Sequence, residues 1–78
     1  MSIANEFILN ISYSGLVKCP DIPKHIKELY CDNNKLTDVN NLPKGLIKLV
    51  CRRNNLTNLN NLPFTLEYLF IKNNTNTI

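Results

Sequence analysis

The sequence has little of what a metal site or a membrane span requires. It contains one histidine, three cysteines and no C-x-x-C pair, so the usual ligand spacing of a zinc site is missing. No stretch approaches the ~20 apolar residues of a membrane span. The first sixteen residues contain no lysine or arginine, and Asn10 and Ser12 interrupt the apolar run, which is unlike a secretory signal. We therefore expect an intracellular protein in the reducing cytoplasm, with no membrane partner.

Charge is also sparse. Charged residues make up 19% of the chain and the net charge is +3, short of the density expected of a dedicated nucleic-acid binder. No recognition-helix or zinc-finger spacing is present, so nucleic acid is not expected as a partner. The hydrophobic content of 44% is enough for a core, and 78 residues leave room for a single domain. We expect no enzymatic activity, no cofactor and no metal.

What the sequence does have is abundant asparagine at a fixed period. Asn34, Asn54 and Asn74 are spaced by 20 residues. Several asparagines occur as adjacent pairs, namely Asn33-Asn34, Asn40-Asn41, Asn54-Asn55, Asn60-Asn61 and Asn73-Asn74. Periodic self-similarity is the signature of a repeat architecture.

The same 20-residue period extends to the apolar positions. Four columns carry it, namely Pro23/Pro43/Pro63, Ile26/Leu46/Leu66, Leu29/Leu49/Leu69 and Cys31/Cys51/Ile71. Reading backward, Leu9, Ile11 and Leu16 occupy the columns of Leu29, Cys31 and Leu36. The chain is thus one domain of four units, a degenerate repeat 2–21, two full repeats 22–41 and 42–61, and a truncated repeat 62–78.

This pattern, L-x-x-L-x-(C/I)-x-x-N-x-L-T with a Leu-Pro step, resembles the leucine-rich repeat. The 20-residue length and the Leu-Pro step are similar to the short repeats of Yop-M-like and Ipa-H-like bacterial effectors and of large DNA viruses. The resemblance covers roughly residues 7 to 76. It implies that the repeated asparagine forms a structural ladder, and that the concave sheet face is where a partner binds.

The residues themselves favour one strand per repeat. Leu29-Tyr30-Cys31 and its equivalents alternate between inward and outward positions, which is typical of a strand. A fixed repeat length stacks such strands in parallel and in register, ~4.8 Å apart. The prolines of the return path oppose a regular helix, so the convex side is expected to be extended or to form a single helical turn near Lys24-His25-Ile26. The predicted fold is mainly β, a short parallel solenoid.

The two ends of the repeat array depart from the pattern. Glu6 stands in the column of Ile26, and Asn76 stands in the column of Leu36 and Leu56. Polar residues at these positions are consistent with capping of the stack, and equally with a fragment of a longer protein.

The outward strand positions predict a contact surface for another protein. Its apolar and aromatic anchors are Tyr30, Val50, Tyr68 and Phe70, expected to be exposed. The charges expected to set the register of the partner are Glu28, Asp32, Lys48, Arg52 and Lys72. A structural alternative stays open, in which aromatic residues merely suit strands and Arg52 pairs with Asp32. For the basic side chains we prefer that alternative.

The predicted function is therefore a non-catalytic protein-binding module acting in the cytoplasm, including that of a host cell. One alternative is a substrate-recognition fragment of a larger effector, because proteins of the Ipa-H-like group carry a ubiquitin-ligase domain whose catalytic part is absent from this sequence. Another is a structural remnant without a specific partner, self-associating through uncapped ends. Cys31 and Cys51 share one inward column, so their strand spacing falls inside the disulfide range, but buried packing is the role we expect for both.

Overall fold

The computed structural model describes residues 5–75, and within that range it contains one sheet of four parallel strands and no helix. The strands are β1 (Ile8–Asn10), β2 (Glu28–Tyr30), β3 (Lys48–Val50) and β4 (Tyr68–Phe70). They lie in chain order, and each residue pairs with the residue 20 positions further on. The predicted mainly β architecture, with one parallel strand in each repeat, is confirmed.

The hydrophobic core lies on one side of the sheet and is shared between repeats. Every fully enclosed apolar side chain of this cluster belongs to the second or third repeat, namely Ile22, Ile26, Leu29, Cys31, Leu36, Val39, Leu42, Leu46, Leu49, Cys51 and Leu56. The equivalent side chains of the outer repeats, such as Leu9 and Leu66, are only partly buried. Each repeat thus depends on its neighbours for burial of its apolar face.

The repeated asparagines connect each repeat to the one before it. The Oδ1 atom of Asn34 accepts hydrogen bonds from the backbone N–H groups of Ser14 and Leu16, both at 3.0 Å. Its Nδ2 group donates to the carbonyl of Ile11 at 3.0 Å and to that of Cys31 at 3.1 Å. The amide therefore satisfies backbone groups that have no partner in a regular element. The ladder implied by the resemblance is present at this turn.

Asn54 and Asn74 repeat the same arrangement. Asn54 accepts from the N–H of Leu36 at 3.0 Å and donates to the carbonyl of Cys31 at 2.9 Å. Asn74 accepts from the N–H of Leu56 at 2.9 Å and donates to the carbonyl of Cys51 at 3.0 Å. The ladder therefore runs across all three junctions between repeats.

The return path bends once per repeat. The carbonyls of Pro23, Pro43 and Pro63 accept hydrogen bonds from the N–H groups three residues later, at 3.1, 3.1 and 3.3 Å. These are isolated β-turns and not the helical turn expected near Lys24-His25-Ile26. The proline supplies the accepting carbonyl, so its missing N–H costs the turn nothing.

A second use of asparagine concerns backbone conformation. The residue that precedes each ladder position adopts a left-handed φ, with values of 57° at Tyr13, 56° at Asn33, 56° at Arg53 and 64° at Asn73. Asn41 and Asn61, before the Leu-Pro steps, do the same at 62° and 64°. Asparagine tolerates this region better than other residues with a side chain. Two of the asparagine pairs, Asn33-Asn34 and Asn73-Asn74, thus combine a left-handed residue with a ladder residue.

The β1 edge of the sheet is partly capped by groups of its own repeat. Asn5 accepts the N–H of Phe7 through Oδ1 at 2.9 Å and the N–H of Ile8 through its carbonyl at 3.1 Å. Asn10 Oδ1 accepts the N–H of Ser12 at 2.9 Å. Glu6 is exposed, which agrees with a polar end to the stack. The expectation for Asn76 lies outside the described residues.

Replacing a ladder asparagine should destabilise the fold strongly. Asn54→Ala leaves the buried N–H of Leu36 without an acceptor and removes one of the two amide donors to the carbonyl of Cys31, so we expect the free energy of unfolding to fall by about 1–3 kcal/mol. Urea unfolding followed by circular dichroism measures it. The control is Asn55→Ala at the exposed neighbouring position, which should stay within ~0.5 kcal/mol of the parent. Equal losses in both variants would contradict the ladder.

Relieving the left-handed strain at Arg53 should stabilise the protein. Arg53→Asn places in the third repeat the residue that Asn33 and Asn73 supply in its neighbours, and we expect a gain of about 0.5–1 kcal/mol in unfolding free energy. Lys72→Asn is the matched control, because it removes one positive charge nearby without a left-handed φ. A gain of the same size in the control would show that charge, and not backbone strain, is responsible.

Candidate functional site

The outer sheet face is the side of the sheet opposite the core. The register brings Asn10, Tyr30, Val50 and Phe70 side by side in a central column. Ile8, Glu28, Lys48 and Tyr68 form a second column beside it. The structure therefore brings the anchors expected from the sequence onto one surface.

Val50 departs from the expectation that it is an exposed anchor. Only 4% of its surface is accessible, although it lies in the outward column. Tyr30 and Phe70 flank it in the register, and Lys48 Nζ lies 5.2 Å from the centroid of the Tyr30 ring and 5.8 Å from that of Phe70. Two rings and a lysine stem therefore surround Val50, which forms the floor of the surface and cannot be a direct contact.

Lys48 links the charged and aromatic parts of the outer sheet face. Both ring distances are within the range of a cation–π interaction. Tyr30 donates its hydroxyl hydrogen to Glu28 Oε1 at 2.8 Å. The Tyr30 hydroxyl is the main cause that raises the pKa of Lys48, and the charge of Glu28 adds to it. The ammonium group is therefore positive at neutral pH and is held between the two rings.

Tyr68 and Phe70 are the most accessible anchors. They are 54% and 45% exposed, and both belong to β4, at the edge of the sheet. Tyr30 is half-buried in the middle of the sheet. The accessible aromatic surface thus increases from β2 toward β4.

Asp32 serves the fold and not the contact surface. It is nearly buried, and its Oδ1 accepts the backbone N–H of Arg52 at 2.6 Å. Its Oδ2 accepts from Nη2 and Nε of Arg52 at 2.8 and 3.2 Å. This hydrogen bond raises the pKa of Arg52. The pairing of Arg52 with Asp32, preferred from the sequence, is confirmed, and Asp32 is not available to a partner.

A basic groove of about 380 Å³ lies at the carboxyl ends of the strands. Its lining residues are Tyr13, Asp32, Asn33, Arg52, Arg53, Lys72 and Asn73. Because Asp32 is already paired with Arg52, the exposed side chains of Arg53 and Lys72 leave the groove positively charged. Lys72 belongs to the predicted site, and the sequence also placed Arg53 in the same basic cluster, whereas Tyr13 was missing from the prediction.

Phe64 was also missed. Its side chain is fully exposed on the return turn, away from the outer sheet face. The same column holds Lys24 and Lys44 in the preceding repeats. An aromatic residue in a column of lysines was the sequence feature that could have indicated an exposed ring here. His25 is exposed and meets the Phe7 ring edge-on at 6.4 Å between centroids.

The cysteines are free thiols. Cys31 and Cys51, the residues directly after β2 and β3, are fully buried, and a hydrogen bond with Cys51 together with burial raises the pKa of Cys31. Cys19 is half-buried, and burial raises its pKa to about 11, with smaller contributions from Cys51, Asp38 and Asp21. Thiols with raised pKa values are poor nucleophiles, so their arrangement gives packing and not reactivity.

Comparisons with protein-family models, with curated proteins and with solved structures found no match to this chain. Among residues 5–75, no group of three or more histidine, cysteine and acidic side chains could hold a metal ion. The same residues contain no helix long and apolar enough to cross a membrane.

The half-buried thiol of Cys19 should react slowly and with a high pH midpoint. Its pKa of about 11 against an ordinary 9.0 predicts roughly 100-fold slower alkylation by iodoacetamide near pH 8 in the folded than in the denatured chain. Because folding favours the protonated thiol, its contribution to stability is complete below about pH 9 and is lost as the pH rises through 11. The reaction is followed at Cys19 by peptide mapping, because Cys31 and Cys51 also react in the denatured chain. Cys19→Ser removes the mapped adduct, and a midpoint near 9 in the folded protein would contradict the prediction.

Proposed function

We propose that this chain is a short leucine-rich-repeat solenoid that binds another protein through the outer sheet face, the concave side of such a solenoid, without catalysing a reaction. The observation that carries the proposal is the pair of half-exposed aromatic rings, Tyr68 and Phe70, on a strand held in register by β3. Exposed aromatic side chains are enriched among the residues that dominate binding energy.

The setting of these rings favours binding over plain surface packing. The backbone of β4 is fixed on one side by its pairing with β3. Each ring has only two rotatable side-chain bonds. Little conformational entropy is therefore lost when a partner covers them. Val50 is buried between Tyr30 and Phe70 and supports the two rings from below, so a partner would meet the rings and not Val50.

The charges around the rings predict the character of the partner. Arg53 and Lys72 leave the groove at the carboxyl ends of the strands positive, while Glu28 lies in the column on the other side of the rings and is engaged by Tyr30. A complementary partner would carry an apolar centre with acidic residues at one side. Such charges set orientation and association rate more than affinity.

The number and packing of the cysteines favour a reducing location, and we propose the cytoplasm. The chain has three cysteines, an odd number that suits no complete disulfide framework. Cys31 and Cys51 are buried in the core, in the column that Ile11 and Ile71 fill in the outer repeats, as small apolar residues would be.

Replacing Tyr68 should weaken partner binding while leaving the fold intact. We expect Tyr68→Ala to reduce the affinity for a partner captured from a cell lysate by roughly 30-fold, the effect of losing one aromatic hot spot. A photo-crosslinking amino acid at position 68 should form a covalent adduct with the same partner.

Phe64→Ala is the matched control, because Phe64 is an exposed ring on another face of the chain. It should retain full affinity, and a crosslinker at position 64 should give no adduct. Equal binding by both variants would remove the outer sheet face as the site. Capture of no partner by the parent would favour a structural remnant.

A further inference from the structure

The β4 edge of the sheet is open within the described residues. In the preceding repeat the N–H groups of Cys51 and Arg53 donate to the carbonyls of Phe70 and Lys72, at 2.7 and 3.0 Å. The equivalent N–H groups of Ile71 and Asn73 therefore point away from β3, and no residue of 5–75 accepts from them. An edge of this kind is satisfied by another β-strand.

Apolar surface accompanies these backbone groups. Leu69 occupies the inward column in which Leu29 and Leu49 are fully enclosed, but it is 38% exposed. Leu62, Leu66 and Ile71 beside it are only partly buried. The strand that would cover the β4 edge would therefore also complete the core of the last repeat.

The β1 edge offers less to a second copy than the β4 edge does. Two of its outward N–H groups, at Ile8 and Ser12, are already accepted by Asn5 and Asn10 of the same chain, on either side of the outward N–H of Asn10. A second copy that placed β1 on β4 in a head-to-tail array would have to displace these caps. Pairing of β4 with β4 of a second copy requires no such displacement.

We propose that two copies of the chain associate through antiparallel pairing of their β4 strands, around a two-fold axis at Phe70. In this register Phe70 lies opposite Phe70 of the second copy, Tyr68 opposite Lys72, and Leu69 opposite Ile71. Directly opposed residues of antiparallel strands share a face, so these pairs join aromatic with aromatic, ring with cation, and aliphatic with aliphatic. No like charges are opposed.

The alternating direction of the backbone N–H and C=O groups along β4 supports this register. The odd-numbered residues of the last repeat direct their N–H and C=O groups away from β3, as the equivalent groups of Cys51 and Arg53 show. Leu69 and Ile71 would form a hydrogen-bonded pair, and Phe70 would form a pair without hydrogen bonds, where side chains lie closest. The two copies would then present their outer sheet faces on the same side of one eight-stranded sheet.

Sedimentation equilibrium on the purified chain, without any partner, tests the proposal. Between about 1 µM and 1 mM the mass should rise from that of the 9.0 kDa chain to twice that value and no further. Phe70→Lys places two lysines face to face at the axis and should weaken association by roughly tenfold or more.

The control is Ile8→Lys, an equally drastic change at an exposed residue on the capped β1 edge. It should leave the association constant unchanged, and far-ultraviolet circular dichroism confirms that both variants are folded. A monomer throughout, masses beyond the dimer, or loss of association in Ile8→Lys would overturn the proposal.

A cysteine at the axis tests the register independently of affinity. In Phe70→Cys the two new thiols would lie within disulfide reach, since the Cα atoms of such a pair are ~4.5 Å apart. Mild oxidation should give a dimer joined through position 70, identified by peptide mapping. Tyr68→Cys should not join to itself, and a disulfide at 68 in place of 70 would overturn the register.

Discussion

The side-chain amide that spans two repeats is the interaction on which the rest of the structure depends. Each strand has only three residues and the connecting segments contain no helix within residues 5–75, so most backbone groups have no partner in a regular element. Buried N–H and C=O groups must nevertheless be paired. Asn34, Asn54 and Asn74 supply those partners, and each does so across a junction between repeats. The hydrophobic core can close only because these turns are fixed.

This dependence explains why few residue types can occupy the ladder position and the position before it in each repeat. A carboxamide both donates and accepts, so no shorter or singly functional side chain can replace it. The residue before it must accept a left-handed φ, which costs Tyr13 and Arg53 backbone strain that Asn33 and Asn73 avoid. Polar sequence at the turn is therefore a structural requirement, while sequence on the outer sheet face is free to vary with function.

The column alignment was enough to predict the strands and their register, because a fixed repeat length leaves one way to superpose equivalent residues, whereas the ladder was expected from the resemblance. Leu29 and Leu49 are enclosed as expected. Val50 could not be predicted in the same way, because its burial depends on where the Lys48 side chain lies relative to two rings of neighbouring repeats. Asp32 was similarly assigned to the surface, since the sequence does not reveal that a carboxylate accepts a backbone N–H from the next repeat.

The two ends of the sheet differ in which backbone groups they turn outward. Asn10 stands in the column of Tyr30, Val50 and Phe70, and there its side chain accepts the N–H of Ser12, which a preceding repeat would otherwise have bound. The same contact from position 70 would reach the N–H of residue 72, which faces β3, because at the opposite edge the odd-numbered residues point outward. A polar residue in the central column can therefore cap the β1 edge but not the β4 edge. At β4 the position is free to carry an aromatic anchor, and the outward N–H groups of Ile71 and Asn73 depend on another strand for their partners.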